Sequence, residues 1–323
     1  MDYVPQIDPW MRRRSLPAGG ERLFLPLRDG WPVRLEHWAR RDPERGHVLM
    51  VTGRGDFTEK YAETLHDLVD AGWGVTIFDW RGQGLSRRVG KTPMHGASPN
   101  GTGPGFDVWL DDLAELVDWT VARTGGPVLA AAHSMGGHLV LRHLAAGRGG
   151  ITRAAVLAPM LGLAAAPLGP GVARRLAALM VKWHRGSDYV LGGGPYEPGV
   201  PGSQRQKLLT SDTERYRDES WWIGQLPSLA LGSVTWGWLH DAFASIGTLA
   251  ARGVPEAIAV PVLALIPESD GLVDSKATRR LIARIPGGET IAYPGAGHEL
   301  LREAEPLRSE VLARMLAFFG EPS

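Results

Sequence analysis

The chain has 323 residues, with 35 Lys and Arg balanced by 35 Asp and Glu, so no global field draws in nucleic acid or another polyanion. It contains no Cys, which excludes disulfides, thiolate metal sites and a cysteine nucleophile. The length exceeds that of a common single domain and leaves room for one α/β core with a large insertion.

The first twenty residues are polar and carry Arg12, Arg13 and Arg14 without an apolar run behind them. They do not read as a secretory signal, and a cytoplasmic location is the expectation. Residues 23–27 and 33–38 flank the turn pair Asp29-Gly30 and predict an antiparallel hairpin. The rhythm then changes. Residues 48–52 read as a buried strand, 61–69 as a helix and 74–79 as a second strand, which together make a right-handed βαβ unit. A helix over 108–122 carries Leu110, Leu113, Val117 and Val121 near helical spacing and leads into an apolar strand at 128–132. A helix at 138–146 and a strand at 154–157 follow, and then the alternation lapses for about a hundred residues. It resumes with a strand at 262–266, a helix at 275–285, a strand at 290–293 and a last helix at 306–319. This pattern predicts an α/β fold in which helices flank a mostly parallel central sheet. The interruption predicts an inserted, largely helical cap over 160–245, with the core formed by 1–159 and 246–323.

Two uncharged stretches, 154–173 and 220–239, have the length of a membrane span. Pro159, Pro167 and Pro170 break the first, and Gly224, Pro227, Gly232 and Gly237 break the second. Both read as protein interior or ligand cavity.

Residues 130–137, Ala-Ala-Ala-His-Ser-Met-Gly-Gly, place Ser134 between small residues where an apolar strand gives way to a helix. Such an elbow forces one Ser into a strained backbone conformation, so that its hydroxyl projects from the sheet and the helix N-terminus faces the reacting oxygen. A serine hydroxyl is a poor nucleophile until an imidazole accepts its proton, and the imidazole needs a carboxylate to fix its tautomer. In an open parallel sheet these groups converge from loops at the C-terminal ends of strands. Asp270 follows the strand at 262–266, and His298 follows the strand at 290–293 in a loop of small residues. Glu268 and Asp274 are rival acids, and a carboxylate here could instead cap the helix near Ser275. The chain order Ser134, Asp270, His298 is that of α/β-hydrolases. For the developing oxyanion the expected donors are the backbone N–H of Met135 and that of Arg54, whose neighbours Gly53 and Gly55 let the chain turn toward the site. His133 reads as structural. The tripeptide Arg54-Gly55-Asp56 invites an adhesion reading, but it follows a buried strand.

Several segments together resemble one family. They are Thr52-Gly-Arg-Gly-Asp-Phe-Thr-Glu-Lys-Tyr61, Asp79-Trp-Arg-Gly-Gln-Gly-Leu-Ser86, Ala132-His-Ser-Met-Gly-Gly137, Ala158-Pro-Met160, Ser269-Asp-Gly-Leu-Val-Asp274 and Gly297-His298. The chain resembles the monoacylglycerol lipase and bacterial lysophospholipase branch of the α/β-hydrolases, also grouped with serine aminopeptidases. The likeness to the lysophospholipase subgroup extends into the cap at Ser187-Asp-Tyr-Val190, Leu209-Thr-Ser211 and Arg215-Tyr216. The resemblance implies an α/β-hydrolase fold, a triad of Ser134, Asp270 and His298, and oxyanion donors at Arg54 and Met135. It also implies hydrolysis of a single-chain glycerolipid ester without metal or other cofactor. A monoacylglycerol lipase or general carboxylesterase is the alternative within hydrolases, and a non-catalytic lipid-binding protein the alternative outside them. Ala132 departs from the usual first Gly of the elbow, and Thr52 stands where relatives often have His.

The cap is rich in Trp. Trp183, Trp221, Trp222 and Trp236 are candidate substrate-binding residues, because aromatic surface of that size wants burial or an apolar ligand; the other reading is that they and Trp238 hold the cap together. Val172, Leu176, Leu179, Met180 and Trp183 share one helical face, with Arg174, Arg175, Lys182 and Arg185 toward the other. Such a basic amphipathic helix can dock the cap onto the core or rest peripherally on anionic lipid headgroups. Gly192, Gly193 and Gly194 with residues 195–202 read as a mobile gate for lipid access.

Overall fold

The computed structural model describes residues 8–42, 44–86, 105–165 and 167–320. Asp8 accepts the Trp10 N–H and starts a short helix, α1 (Pro9–Arg13). The predicted hairpin follows as β1 (Glu21–Pro26) and β2 (Pro32–Trp38), antiparallel, with Gly30 at φ 78° in the turn, a conformation that needs no Cβ. Next come β3 (His47–Val51), α2 (Ala62–Asp70), β4 (Gly74–Phe78), α3 (Gly105–Thr124), β5 (Val128–His133), α4 (Met135–Ala145) and β6 (Ile151–Leu157). Between β6 and β7, over the stretch expected to form the cap and on to residue 250, lie α5 (Pro170–Lys182), α6 (Gln204–Leu209), α7 (Thr213–Gln225) and α8 (Trp236–Ala250). The chain then closes with β7 (Val262–Pro267), α9 (Ser275–Ile282), β8 (Gly288–Tyr293) and α10 (Leu307–Gly320).

The eight strands form one sheet in the order β1-β2-β4-β3-β5-β6-β7-β8. The β1–β2 and β2–β4 pairs are antiparallel and the remaining pairs parallel. Alternation along the strands feeds two cores. Leu49, Val51, Phe78, Ala130 and Ala132 pack with Leu113, Leu139 and Val140 on one face. Val48, Met50, Ile77, Leu129 and Ala131 pack with Leu65, Leu68 and Met315 on the other. Burial on both faces explains why these strands read as unbroken apolar runs. From β3 the chain crosses to β4 on one side, then returns past β3 to β5 and the strands beyond it. The loops after β3 and β5 therefore diverge at a topological switch point, where an open α/β sheet offers a crevice.

In the cap, α5 buries only part of the predicted apolar face. Ala173, Ala177 and Met180 are its buried residues, and Ala177 and Met180, with the partly buried Leu176, pack with Trp236 of α8. Val172 and Trp183 are left 51% and 60% exposed, with Leu179 also exposed. Helix α8 runs from this cap cluster into the body of the protein, where Trp238, Ala242 and Leu249 join the main core. The segment expected to act as a gate is tied down. Gly199 N–H donates to Ser220 Oγ at 3.0 Å and Gly194 N–H to Ser233 Oγ at 3.1 Å.

Candidate active site

Ser134 sits between β5 and α4 at φ 52° and ψ −115°, a conformation that costs a non-glycine residue about 1–3 kcal/mol. The elbow is locked from behind. Ser134 N–H donates to the Leu157 carbonyl at 3.0 Å, and the Ser134 carbonyl accepts from His138 at 3.1 Å and Met160 at 3.0 Å. Gly136 is required by contact, since a Cβ there would lie 2.4 Å from the Val51 carbonyl oxygen and 2.5 Å from that of Thr52. Ala132, at the first small position, is fully buried in β5 and its methyl packs in the core.

His298, from the loop after β8, brings Nε2 to 2.9 Å from Ser134 Oγ and Nδ1 to 2.6 Å from Asp270 Oδ2. The second oxygen of Asp270 accepts the N–H groups of Leu272 at 2.7 Å and Val273 at 3.2 Å. Of the rival acids, Asp274 caps α9 by accepting from Lys276 and Ala277 at 2.9 Å each, and Glu268 is exposed. Burial opposes ionisation of both partners, yet their mutual attraction and hydrogen bond win. The His298 pKa is raised above its ordinary value, and the Asp270 pKa is lowered, helped by its two backbone donors. The arrangement can accept a proton from Ser134 and hold it as an imidazolium beside a carboxylate.

Gly53 lies against the elbow, where a Cβ would sit 2.9 Å from His133 Nδ1 and 3.2 Å from Ser134 Cβ. Its N–H donates to Asp56 Oδ2 at 2.8 Å, and Gly55 N–H donates to Gln83 Oε1. The loop carrying Arg54 is thus pinned on both sides of that residue. The Arg54 guanidinium reaches the cap, donating to the Gly232 carbonyl at 2.7 Å, and burial pushes its pKa down to about 9. Met135 is the first residue of α4.

Asp56, set aside above as part of an Arg-Gly-Asp tripeptide, is the hub behind the site. It accepts Tyr61 O–H at 2.7 Å, and His133 Nδ1 stands 3.1 Å from the same oxygen. The other oxygen accepts Lys60 Nζ at 2.8 Å. Lys60 also meets Glu299, next to the imidazole, at 2.6 Å and Glu219 of α7 at 3.0 Å. Burial works against the ammonium, but three carboxylates raise the Lys60 pKa. His133 Nε2 lies 3.3 Å from the His298 carbonyl. Pattern reasoning could not find this cluster, because its members come from four separate parts of the chain.

The cap Trp residues have identifiable partners. Trp236 is buried between α5 and α8. Trp222 Nε1–H donates to the Arg13 carbonyl at 3.0 Å, while Trp221 packs edge-on against Trp222 and carries the Arg14 guanidinium over its ring. These three hold the cap together and to the N-terminal segment, and Trp183 alone among the four candidates presents most of its ring to solvent.

Comparison with known proteins is consistent across sequence and fold. Residues 42–305 match the model of the Hydrolase_4 family, described as serine aminopeptidase, S33. Lysophospholipase L2 of Escherichia coli K12 is 29% identical over 98% of this chain and 90% of that protein. Probable lysophospholipase L2 of Haemophilus influenzae is 27% identical over 85% of this chain and 84% of that protein. Among solved structures, a soluble variant of monoglyceride lipase from Saccharomyces cerevisiae, bound to a substrate analog, superposes with a TM-score of 0.73. It is 21% identical, with 95% of this chain and 97% of that one covered. A thermostable carboxyl esterase from Bacillus coagulans gives a TM-score of 0.71 at 16% identity, with 94% and 98% covered.

Proposed function

The chain belongs to the serine aminopeptidase S33 family of α/β-hydrolases, and from that premise we propose that it is a serine ester hydrolase acting on lysophospholipids. The observation that carries the reading is the relay from Ser134 Oγ through His298 to Asp270, with contacts of 2.9 and 2.6 Å. Ser134 attacks the acyl carbonyl as His298 Nε2 takes its proton. The backbone N–H groups of Arg54 and Met135 stabilise the oxyanion. His298 then protonates the leaving glycerol oxygen, and a water activated by the same imidazole releases the fatty acid from Ser134.

The choice of a single-chain phospholipid is supported by relatives named lysophospholipase L2 that extend over nearly the whole chain. Monoacylglycerol is the alternative substrate, suggested by the fold shared with a monoglyceride lipase. Peripheral lipid contact belongs to the same proposal, through exposed Val172, Leu179 and Trp183 beside Arg175 and Lys182. Among the described residues no helix is long and apolar enough to cross a membrane.

Fluorophosphonate labelling and a substrate panel test the assignment together. Wild-type protein is expected to label and to hydrolyse lysophosphatidylcholine faster than monoacylglycerol or a short p-nitrophenyl ester, and Ser134→Ala to do neither. Turnover of the short ester alone defeats the lysophospholipid assignment, and an unlabelled wild type defeats the enzyme.

A further inference from the structure

Helix α6 ends at Leu209, and like any helix it leaves its last carbonyls without intrahelical donors. The loop after β8 has the complementary deficit, since it has left the sheet and its N–H groups need acceptors. The two segments supply each other. His298 N–H donates to the Leu208 carbonyl at 2.9 Å, and Glu299 N–H to the Leu209 carbonyl at 2.8 Å. Gly297 N–H, one residue earlier, donates to Glu303 Oε1 at 2.6 Å. Three successive peptide groups around the imidazole are therefore held, two of them directly by the cap.

The tie continues on both sides. Glu303, which is buried, accepts the Ser211 N–H at 3.0 Å on its other oxygen, and the Ser211 hydroxyl as well. Thr210, also buried, donates its hydroxyl to the Arg302 carbonyl at 2.6 Å and accepts the Asp212 N–H at 3.0 Å. Packing is as close as the hydrogen bonding: a Cβ on Gly297 would lie 2.6 Å from both the carbonyl carbon and oxygen of Leu209. Residues 209–211 are the Leu-Thr-Ser stretch of the cap that the sequence resemblance singled out.

We propose that cap residues 208–211 are positioning residues for His298, so that this edge of the cap is a fixed part of the catalytic apparatus. The inference rests on the reading of Ser134 and His298 as nucleophile and base. An imidazole that must serve Ser134 and then the leaving oxygen has to be held within about 0.5 Å of its productive place. The loop that carries it includes Gly295 and Gly297, which resist bending little by themselves. The carbonyls of Leu208 and Leu209 supply the missing constraint. Any movement of the cap for substrate access has to pivot about this edge, because lifting it releases the base.

Thr210→Val, Thr210→Ser and Ser211→Ala, compared with wild type in the full chain, test the assignment. The readouts are melting temperature, kcat and KM on an ester substrate, and the rate of fluorophosphonate labelling. Folded Thr210→Val is expected to lose about tenfold or more in both kcat and labelling rate with KM little changed, while Thr210→Ser recovers most of the loss. Ser211→Ala is expected to show a smaller loss of the same kind, and it decides the matter if Thr210→Val does not fold. Wild-type kcat in the folded variants, a loss carried by KM, or a Ser variant no better than Val overturns the inference. Reactive wild type with unaffected variants overturns it alone, whereas unreactive wild type overturns the functional reading and takes the inference with it.

Discussion

Asp270 and Asp274 lie four positions apart in the chain, and their surroundings separate them. Asp270 bonds a buried imidazole and two backbone N–H groups, while Asp274 caps α9. The raised His298 pKa fixes the sign of the pH response. In the proposed mechanism proton abstraction from Ser134 needs a neutral imidazole, so activity is expected to fall as pH drops through that raised value. Asp270→Asn removes the charge that raises it. The acidic limb of the kcat/KM profile is then expected to move to lower pH, and the rate at neutral pH to fall by about 10³- to 10⁴-fold. An acidic limb that stays in place or moves up contradicts the assignment of the acid.

The elbow shows how one element imposes composition on another. Helix α4 starts directly under the loop after β3, and the contact leaves no room for a side chain at Gly136. The atoms in the way are backbone carbonyls of Val51 and Thr52, which cannot rotate aside. Gly136→Ala is therefore expected to destabilise the fold by about 1–3 kcal/mol, read as a lower melting temperature. It is also expected to cut the labelling of Ser134, because relief of the clash displaces either the nucleophile or the Arg54 loop. An alanine variant with native stability and labelling rate would mean that the two segments are not so tightly apposed. In the cap, the pairing of α5 with α8 through Ala177, Met180 and Trp236 leaves Val172 and Leu179 exposed.

Across the whole molecule, those exposed residues lie on a helix that contains no acid between Pro170 and Lys182, although the chain as a whole is neutral. Apolar burial and attraction to anionic headgroups would act together there. Val172→Glu with Leu179→Glu is expected to reduce co-sedimentation with phosphatidylglycerol vesicles severalfold, while hydrolysis of a soluble short ester stays unchanged. Binding that survives the double substitution would remove α5 from the lipid contact. Elsewhere in the cap, Arg13 and Arg14 both reach Asp218 of α7, at 2.6 and 2.9 Å. Arg215 of the same helix pairs with Glu63 of α2 at 2.7 Å. The N-terminal segment and α2 thus both hold α7.

Local chemistry made much of this legible. Unbroken apolar runs separated by amphipathic helices specify a buried parallel sheet, and the small residues around Ser134 specify a sharp turn with an exposed hydroxyl. The chain order of Ser134, Asp270 and His298 pointed to strand ends that share one rim of such a sheet. Periodicity finds the apolar stripe of α5 without knowing its partner: Leu176 and Met180 pack with Trp236, while Val172, Leu179 and Trp183 stay exposed. The same limit hid Asp56, Lys60 and Glu219, whose charges acquire meaning only when α7 is laid over the loop after β3. It also hid the carbonyls of Leu208 and Leu209, since every residue has a carbonyl and only the folded chain decides what it holds. Residue type and spacing determined which chemistry was present; tertiary structure decided how it is braced, because bracing is done by backbone groups and buried charges from distant parts of the chain.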